Sequence, residues 1–300
     1  MSRIAVTGAT GLIGSALTEA LTVDGHTVHR ITRRPEAAGA DDLVWDLDTR
    51  SIDAARLEGV DAVVHLAGEL IDGRGEQAKR RILESRKAGT RLIAETIASL
   101  DQPPEVFVSA SAVGYYGDRG DEVLTEESGP GDDFLASMCV AWEAAAQPAR
   151  DAGIRTVHPR TGVVIHKDGP LIEKIDLPFK LGVGGRVGHG RQYVPWISLE
   201  DEVRALRFLI ERDLEGPVNL VGPEPVTNRE MTKALGTVMR RPTVLPVPPA
   251  AVRLIYGDLA ETLATVSNRV VPQRLLTAGF SFRHGTLTAA LQAAFGRRAA

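Results

Sequence analysis

A doubly wound α/β fold, a parallel sheet covered by helices on both faces, follows from three features of this 300-residue sequence. Short apolar runs alternate with longer helical patterns through the first two thirds of the chain, the βαβ rhythm of such sheets. The run Ile4-Ala5-Val6 is apolar without alternation, as a strand buried on both faces must be. It leads directly into Gly8-Ala9-Thr10-Gly11-Leu12-Ile13-Gly14 and then into a helical pattern over Leu12–Val23. In a strand–turn–helix of this kind Gly8 permits the sharp turn, Gly11 lets backbone approach a pyrophosphate and Gly14 lets helix pack on strand. The free N–H groups and positive end of the helix then face phosphate, which makes the unit Rossmann-type. The spacing is G-x-x-G-x-x-G, one residue longer in its first gap than the commonest dinucleotide fingerprint.

The remaining elements follow in order. Strands are expected at Arg3–Thr7, Thr27–Thr32, Leu43–Trp45, Ala62–Leu66, Val106–Ser109 and Thr156–Pro159, and helices at Leu12–Val23, Glu76–Leu100 and Asp133–Asp151. After Pro159 the pattern changes. Residues 182–190 are too glycine-rich for a helix; Leu199–Arg212 reads as a helix and Pro217–Val221 as a short strand. From Pro223 prolines accumulate, followed by helical patterns near Ala250–Tyr256 and Leu287–Phe295. The expected organisation is a nucleotide-binding domain over residues 1–165. A smaller C-terminal α/β subdomain over 166–300 packs on its mouth, with part of the sheet returning to the first domain.

Composition bounds the function. Apolar residues make 43% of the chain and charged residues 25%, values of an ordinary globular protein. A net charge of −4 argues against nucleic acid as a partner. No apolar run reaches the ~20 residues of a membrane span. The single cysteine, Cys139, excludes an internal disulfide framework. With no secretory pattern after Met1, the cytoplasm is the expected location. The seven histidines show no metal-ligand spacing.

The second strand ends in Thr32-Arg33-Arg34. NAD enzymes place an acid on the ribose 2′-hydroxyl about 20 residues past the glycines. A carboxylate there repels a 2′-phosphate, whereas guanidinium groups pair with it. The expected cofactor is therefore NADP(H). Asp46 is placed to meet adenine or to cap its own loop. Leu66-Ala67-Gly68, at the end of the fourth strand, is small enough for the cofactor to pass close to backbone. Arg86 is within reach of the cofactor or an anionic substrate, or else a solvated helix residue.

At these residues the chain resembles an extended short-chain dehydrogenase/reductase. The glycine turn, Leu66-Ala67-Gly68 and Val108-Ser109-Ala110-Ser111-Ala112-Val113 carry the resemblance. Ser85-Arg86, residues 112–117, Trp142-Glu143-Ala144-Ala145, residues 160–164, Pro195-Trp196-Ile197 and residues 271–275 with Gly279-Phe280 narrow it to the SulA-like "epimerase family" branch, which has a C-terminal domain of unknown function. The resemblance spans nearly the whole chain. It implies NADP(H) contacts from Thr10, Leu12, Ile13, Arg33, Leu66, Ala67, Arg86 and Val164. It also places the loop holding His189, Arg191, Tyr193 and Trp196 toward substrate.

The usual Tyr-x-x-x-Lys pair of that superfamily is absent: none of the six lysines has a tyrosine four residues before it. The matching positions are Leu135 and Cys139. Ser111, Tyr115 and Tyr116 remain as candidate catalytic hydroxyls, with turn-capping and packing as their other reading; His158, beside a strand-ending proline, reads as structural. The expected activity is that of an NADP(H)-dependent oxidoreductase or epimerase-like enzyme acting on a small polar carbonyl or alcohol. The alternative is an NADP(H)-binding regulator with little or no turnover. The helices at 76–100 and 133–151 match those of a four-helix dimer interface in the superfamily. They leave a homodimer open beside packing within the chain.

Overall fold

The computed structural model describes residues 1–33, 39, 42–71 and 74–295. The first strand, β1 (Arg3–Thr7), enters the glycine turn and α1 (Leu12–Val23); β2 (Thr27–Thr32), β3 (Leu43–Asp46) and the short β4 (Ser51–Ile52) follow. The chain then crosses to β5 (Ala62–His65), the long α2 (Gly75–Ala98), β6 (Val106–Ser109) and two short strands, β7 (Ser111–Ala112) and β8 (Val123–Leu124). Next come α3 (Phe134–Ala144), α4 (Gln147–Asp151) and β9 (Arg155–Thr161). The main sheet runs in the order β13-β9-β6-β5-β1-β2-β3-β4, where β13 is Gly216–Leu220, and β7 pairs with β9. All its pairings except β3 with β4 are parallel. Strand order therefore reverses between β1 and β5, and a crevice opens there at the carboxyl ends of the strands.

Alternate residues of the central strands supply two cores. Ile4, Val6, Val64, Val106 and Val108 pack with Leu17 and Leu21 of α1 and with Leu206 and Leu209 further along the chain. Ala5, Val63 and Phe107 face the other way, toward Ile93, Ala94 and Ile97 of α2. The period of two with both faces apolar is why these strands read as unbroken hydrophobic runs.

The expected single helix over 133–151 is two helices. α3 is capped by Asp133, whose carboxylate accepts from Ala136 N at 2.8 Å. It ends at Ala144, and Pro148 stands in the first turn of α4. Proline has no N–H for the carbonyl four residues back, so a continuous helix would be broken there.

Beyond residue 165 the chain divides. β10 (Val163–Ile165), α5 (Pro170–Lys180), β11 (Tyr193–Val194) and β12 (Trp196–Ser198) precede α6 (Leu199–Glu211), and α6 packs on α1 before β13 completes the main sheet. β14 (Val226–Thr227), α7 (Asn228–Met239), α8 (Pro249–Tyr256), α9 (Asp258–Thr265), β15 (Arg269–Val270), α10 (Gln273–Thr277) and α11 (Leu287–Phe295) follow. A separate core joins Ile172, Phe179, Trp196, Met231, Leu235 and Leu291. Trp196, expected toward substrate, is fully enclosed there, with its indole N–H donating to the Glu224 carbonyl at 3.0 Å. No helix among the described residues is long and apolar enough to cross a membrane.

A Cβ on Gly14 would collide with the carbonyl oxygen of Gly8, whereas one on Gly25 would meet nothing within 4 Å. Gly14→Ala is expected to cost about 1–3 kcal/mol as an overpacked contact. Gly25→Ala, at φ +85°, carries only the left-handed backbone penalty of roughly 1 kcal/mol. Urea denaturation of both variants measures the difference.

Candidate functional site

The crevice is a groove of about 330 Å³ lined by Gly8–Gly11, Arg30–Arg33, Asp42, Trp45 and Leu66–Gly68. Gly8 adopts φ +69°, and a Cβ there would lie 2.9 Å from the Leu66–Ala67 peptide, so only glycine brings β1 and β5 this close at their ends. Thr7 fixes the approach from beneath. Its hydroxyl accepts from the N–H groups of Leu66 and Ala67 at 3.1 Å and faces His65 Nδ1 at 2.8 Å. Burial drives the His65 imidazole down to about 3, so it is neutral and accepts the threonine proton. Gly11 is the N-cap of α1 and has no side chain to satisfy the first-turn N–H groups. Those donors are left for an external anion.

Of the residues expected at a cofactor, Gly8, Thr10, Gly11, Thr32, Arg33, Leu66, Ala67 and Gly68 line the groove. Leu12 and Ile13 form the first turn of α1 behind it, and Gly14 is buried under the turn. Arg34 lies outside the described residues. Val164 sits in β10, paired with Ile197 of β12. Asp46 is the loop cap of its second reading: exposed, it accepts from the N–H groups of Asp48 and Thr49. Arg86 is buried against the Gly68 end, and the solvated-helix reading is overturned.

Sequence reasoning missed Ala9, Arg30, Ile31, Asp42 and Trp45 as lining residues. Arg30 grips Asp42 through Nε at 2.9 Å and Nη2 at 2.5 Å, and Gly39 N donates to the same carboxylate at 2.7 Å. Burial opposes the Asp42 charge, but these bonds outweigh it and hold the carboxyl below its usual range. The acid in the groove is thus neutralised by Arg30, while Arg33 stands exposed at the end of β2.

On the other side of the switch point a buried network organises the candidate hydroxyls. Ser111 Oγ donates to Glu143 Oε1 at 2.7 Å. Arg160 forks onto both oxygens of Glu143, Nε at 2.8 Å and Nη2 at 2.9 Å. Its Nη1 donates to the Tyr116 hydroxyl at 3.1 Å, which donates to Asn219 Oδ1 at 2.6 Å. The guanidinium carbon also lies 3.4 Å from the centre of the Tyr115 ring. Burial opposes ionisation of both Glu143 and Arg160, yet their hydrogen-bonded charges outweigh it, lowering the acid's pKa and raising the base's. Tyr116 is wholly enclosed, and burial pushes its phenol up to about 12. It is a strut of this network, as its packing reading held, and not an accessible hydroxyl. Tyr115 is half-buried, whereas Ser111, the first residue of β7, is buried. His158 is structural: it contacts Arg150 Nη1 at 2.7 Å, and burial lowers its imidazole to about 4.

The positions of the missing pair are dry. Leu135 and Cys139 cluster with Ile82, Met138 and Leu259, and Tyr115 and Ala112 pack against them. Leu259 comes from α9, so the C-terminal part seals this face of α3. Most of the apolar surface of α3 is used within the chain, with Val140 left exposed.

Residues 4–222 match the NAD dependent epimerase/dehydratase family, and residues 247–294 match a domain of unknown function, DUF1731. The chain belongs to the NAD dependent epimerase/dehydratase family. It is 44% identical over 291 residues to epimerase family protein Mb2239 of Mycobacterium bovis, covering 96% of each chain. The crystal structure of human epimerase family protein SDR39U1 (isoform2) with NADPH superposes with a TM-score of 0.89 at 34% identity, over 97% of this chain and 98% of that one. A UDP-glucose 4-epimerase from Thermotoga maritima, solved with UDP-glucose, shares the fold alone, with a TM-score of 0.77 at 17% identity over 98% of this chain and 97% of that one.

Behind β9, Glu202 of α6 is fully buried, accepts from Thr161 Oγ1 at 2.8 Å and leaves Oε2 without a partner. Burial pushes its carboxyl up to about 8. The raised value means that its stabilising contribution is full below the ordinary carboxylate pKa and lost as pH rises toward 8. Glu202→Gln, which keeps the acceptor for Thr161, is expected to match wild type near pH 4.5 and to exceed it increasingly up to pH 8. Denaturation midpoints across that range check the sign.

Proposed function

We propose that this chain binds NADP(H) in the groove at the β1/β5 switch point and uses it as an oxidoreductase or epimerase-like enzyme on a small polar carbonyl or alcohol. The observation that carries the cofactor reading is the end of β2. Where an NAD enzyme places an acid, this chain places Thr32-Arg33, and the one acid lining the groove among the described residues, Asp42, is already paired with Arg30. That leaves the charge of Arg33 for a 2′-phosphate. The NADPH in the related human structure supports the same reading.

When bound, the nicotinamide supplies hydride chemistry. The protein supplies orientation and proton handling. The only proton of Ser111 is committed to an ionised carboxylate, so a substrate group meeting its oxygen would have to donate, which suits a hydroxyl better than a carbonyl. Tyr115, held on the face of Arg160, is the hydroxyl left to exchange a proton with the substrate oxygen.

One observation favours the regulator reading: the apolar cluster of Leu135, Cys139 and Leu259 occupies the place where the superfamily keeps its proton-transfer pair. Adding a panel of small carbonyls to the NADPH-loaded protein separates the two. Oxidation of the bound NADPH supports the enzyme; tight binding without turnover supports the regulator.

Arg33→Asp is expected to weaken NADPH binding by about tenfold or more, the loss of a charge-assisted contact, and to spare or improve NADH. Equal loss of both in a titration would refute the 2′-phosphate role. Tyr115→Phe is expected to abolish hydride transfer with little change in stability. Tyr116→Phe strands Asn219 and costs about 1–3 kcal/mol of stability; thermal melts beside single-turnover assays distinguish the two tyrosines.

A further inference from the structure

Exposed aliphatic side chains gather on one face of the C-terminal part. Helix α5 buries Ile172 and Phe179 in the core beneath it. It also carries Leu177 and Leu181 in solvent, on one stripe with Lys174 at spacings of three and four residues. Leu181 is 68% exposed, and the exposed Val183 follows it. The loop before α8 exposes Val244, at 84%, and Leu245. Helix α8 has no buried residue and exposes Leu254, at 75%, and Ile255.

These segments lie side by side. Tyr256, the last residue of α8, donates its hydroxyl to the Lys174 carbonyl at 2.7 Å, near the start of α5. Past the end of α5, Val187 bridges Val247, and a Cβ on Gly185 would strike the Leu245 carbonyl. Helix α8 therefore runs back along α5, and the aliphatic groups form one surface. Scattered exposed hydrophobics need no explanation, but a contiguous patch marks a face that something covers.

Two further observations say what covers it. The same segments carry the cations Lys174, Lys180, Arg240, Arg241 and Arg253 against the acids Glu173 and Asp176. Asp176 is bridged to Lys180, and Glu261 of α9 lies 3.8 Å from Arg253. In a chain of net charge −4 this face is locally positive. The exposed loop is also poor in backbone donors. Residues 242, 246, 248 and 249 are prolines, which have no N–H, and the N–H of Val247 donates to the Arg186 carbonyl at 2.8 Å. Unsatisfied backbone groups are what make a loop costly to bring into hydrocarbon, and here most of the N–H groups are absent or paired. A second copy of the chain fits the face poorly, because a two-fold contact sets the same arginines against each other.

We propose that the α5–α8 face adsorbs to an anionic lipid bilayer, with Val244, Leu245, Leu254 and Ile255 entering the headgroup boundary and Arg240, Arg241 and Arg253 meeting the lipid phosphates and carboxylates. Adsorption of this kind lies in the plane of the interface and needs no membrane-spanning helix. Apolar burial and attraction to anionic headgroups act together, and neither alone holds a protein firmly. The surface is independent of the cofactor reading, since none of these residues lines the groove.

The test is flotation of the full chain with vesicles of phosphatidylcholine and phosphatidylserine, about three to one, against phosphatidylcholine alone, in salt of about 0.15 M. The wild-type chain is expected to float with the mixed vesicles and much less with the neutral ones. Arg240→Gln together with Arg241→Gln is expected to weaken binding to the mixed vesicles about twentyfold, roughly fivefold per cation. Val244→Ser and Leu254→Ser are each expected to weaken it by about tenfold. Val23→Ser, at an 80% exposed position on the end of α1 and away from the face, is expected to change nothing. All these side chains are exposed, so thermal melts that coincide with wild type separate lost adsorption from lost folding. No flotation of the wild-type chain, or flotation that the arginine and aliphatic variants leave unchanged, would overturn the assignment. So would a dimer in sedimentation velocity that Leu254→Ser dissociates, without vesicle binding, which would give the face to a second copy.

Discussion

The pair between Glu143 and Arg160 is the constraint on which the α3–β9 side of the molecule depends. It joins α3 to β9, and through its remaining donors and acceptors it sets Ser111, Tyr115 and Tyr116. Through the Tyr116 hydroxyl it reaches Asn219 of β13, whose amide donates to the Val271 carbonyl and whose backbone N–H donates to Glu126. Burying two charges is unfavourable by itself and is repaid only when the geometry is good and the other hydrogen-bonding capacity is used. Here both carboxylate oxygens and three guanidinium nitrogens are engaged. The network is closed, so it specifies one arrangement of strand ends, helix and loop.

The two halves of the crevice are built on opposite principles. On the nucleotide side the structure is backbone: glycines that allow close approach, a helix start with no side-chain cap, and a threonine hydroxyl that holds two N–H groups. On the other side it is side chains in a charged network beside a dry cluster. The first arrangement suits any dinucleotide, whereas the second depends on particular side chains held in register across distant elements.

That division explains how much was legible in the sequence. The glycine turn and the strands next to it are local, with every residue needed for them lying within a few positions, and their expected bounds match those observed. The expected strand Thr156–Pro159 stops short of Arg160, a charge after an apolar run. In the fold it is a strand interior, since its partner Glu143 stands 17 residues earlier on a separate helix. Arg30 and Asp42 went unnoticed for the same reason: an ion pair across two strands leaves no periodic signal. Helix α7 was missed among the prolines that follow Pro223, although Thr227 and Glu230 form a capping box with a local signature. Nothing local marks Leu259 of α9 as a core residue; its partners lie more than a hundred residues away.

The seating of Leu259 bears on how the chain matures. During synthesis the nucleotide-binding half emerges first, with its glycine turn and central strands complete. The face of α3 that carries Leu135 and Cys139 stays wet until α9 has left the ribosome. Strand β13 arrives at residues 216–220 and the β8–β15 pairing only at 269–270. This side is therefore completed late, by contacts across more than a hundred residues, and loop closure over such separations slows its formation. A nascent chain halted before α9 would carry a finished groove beside an open face of α3.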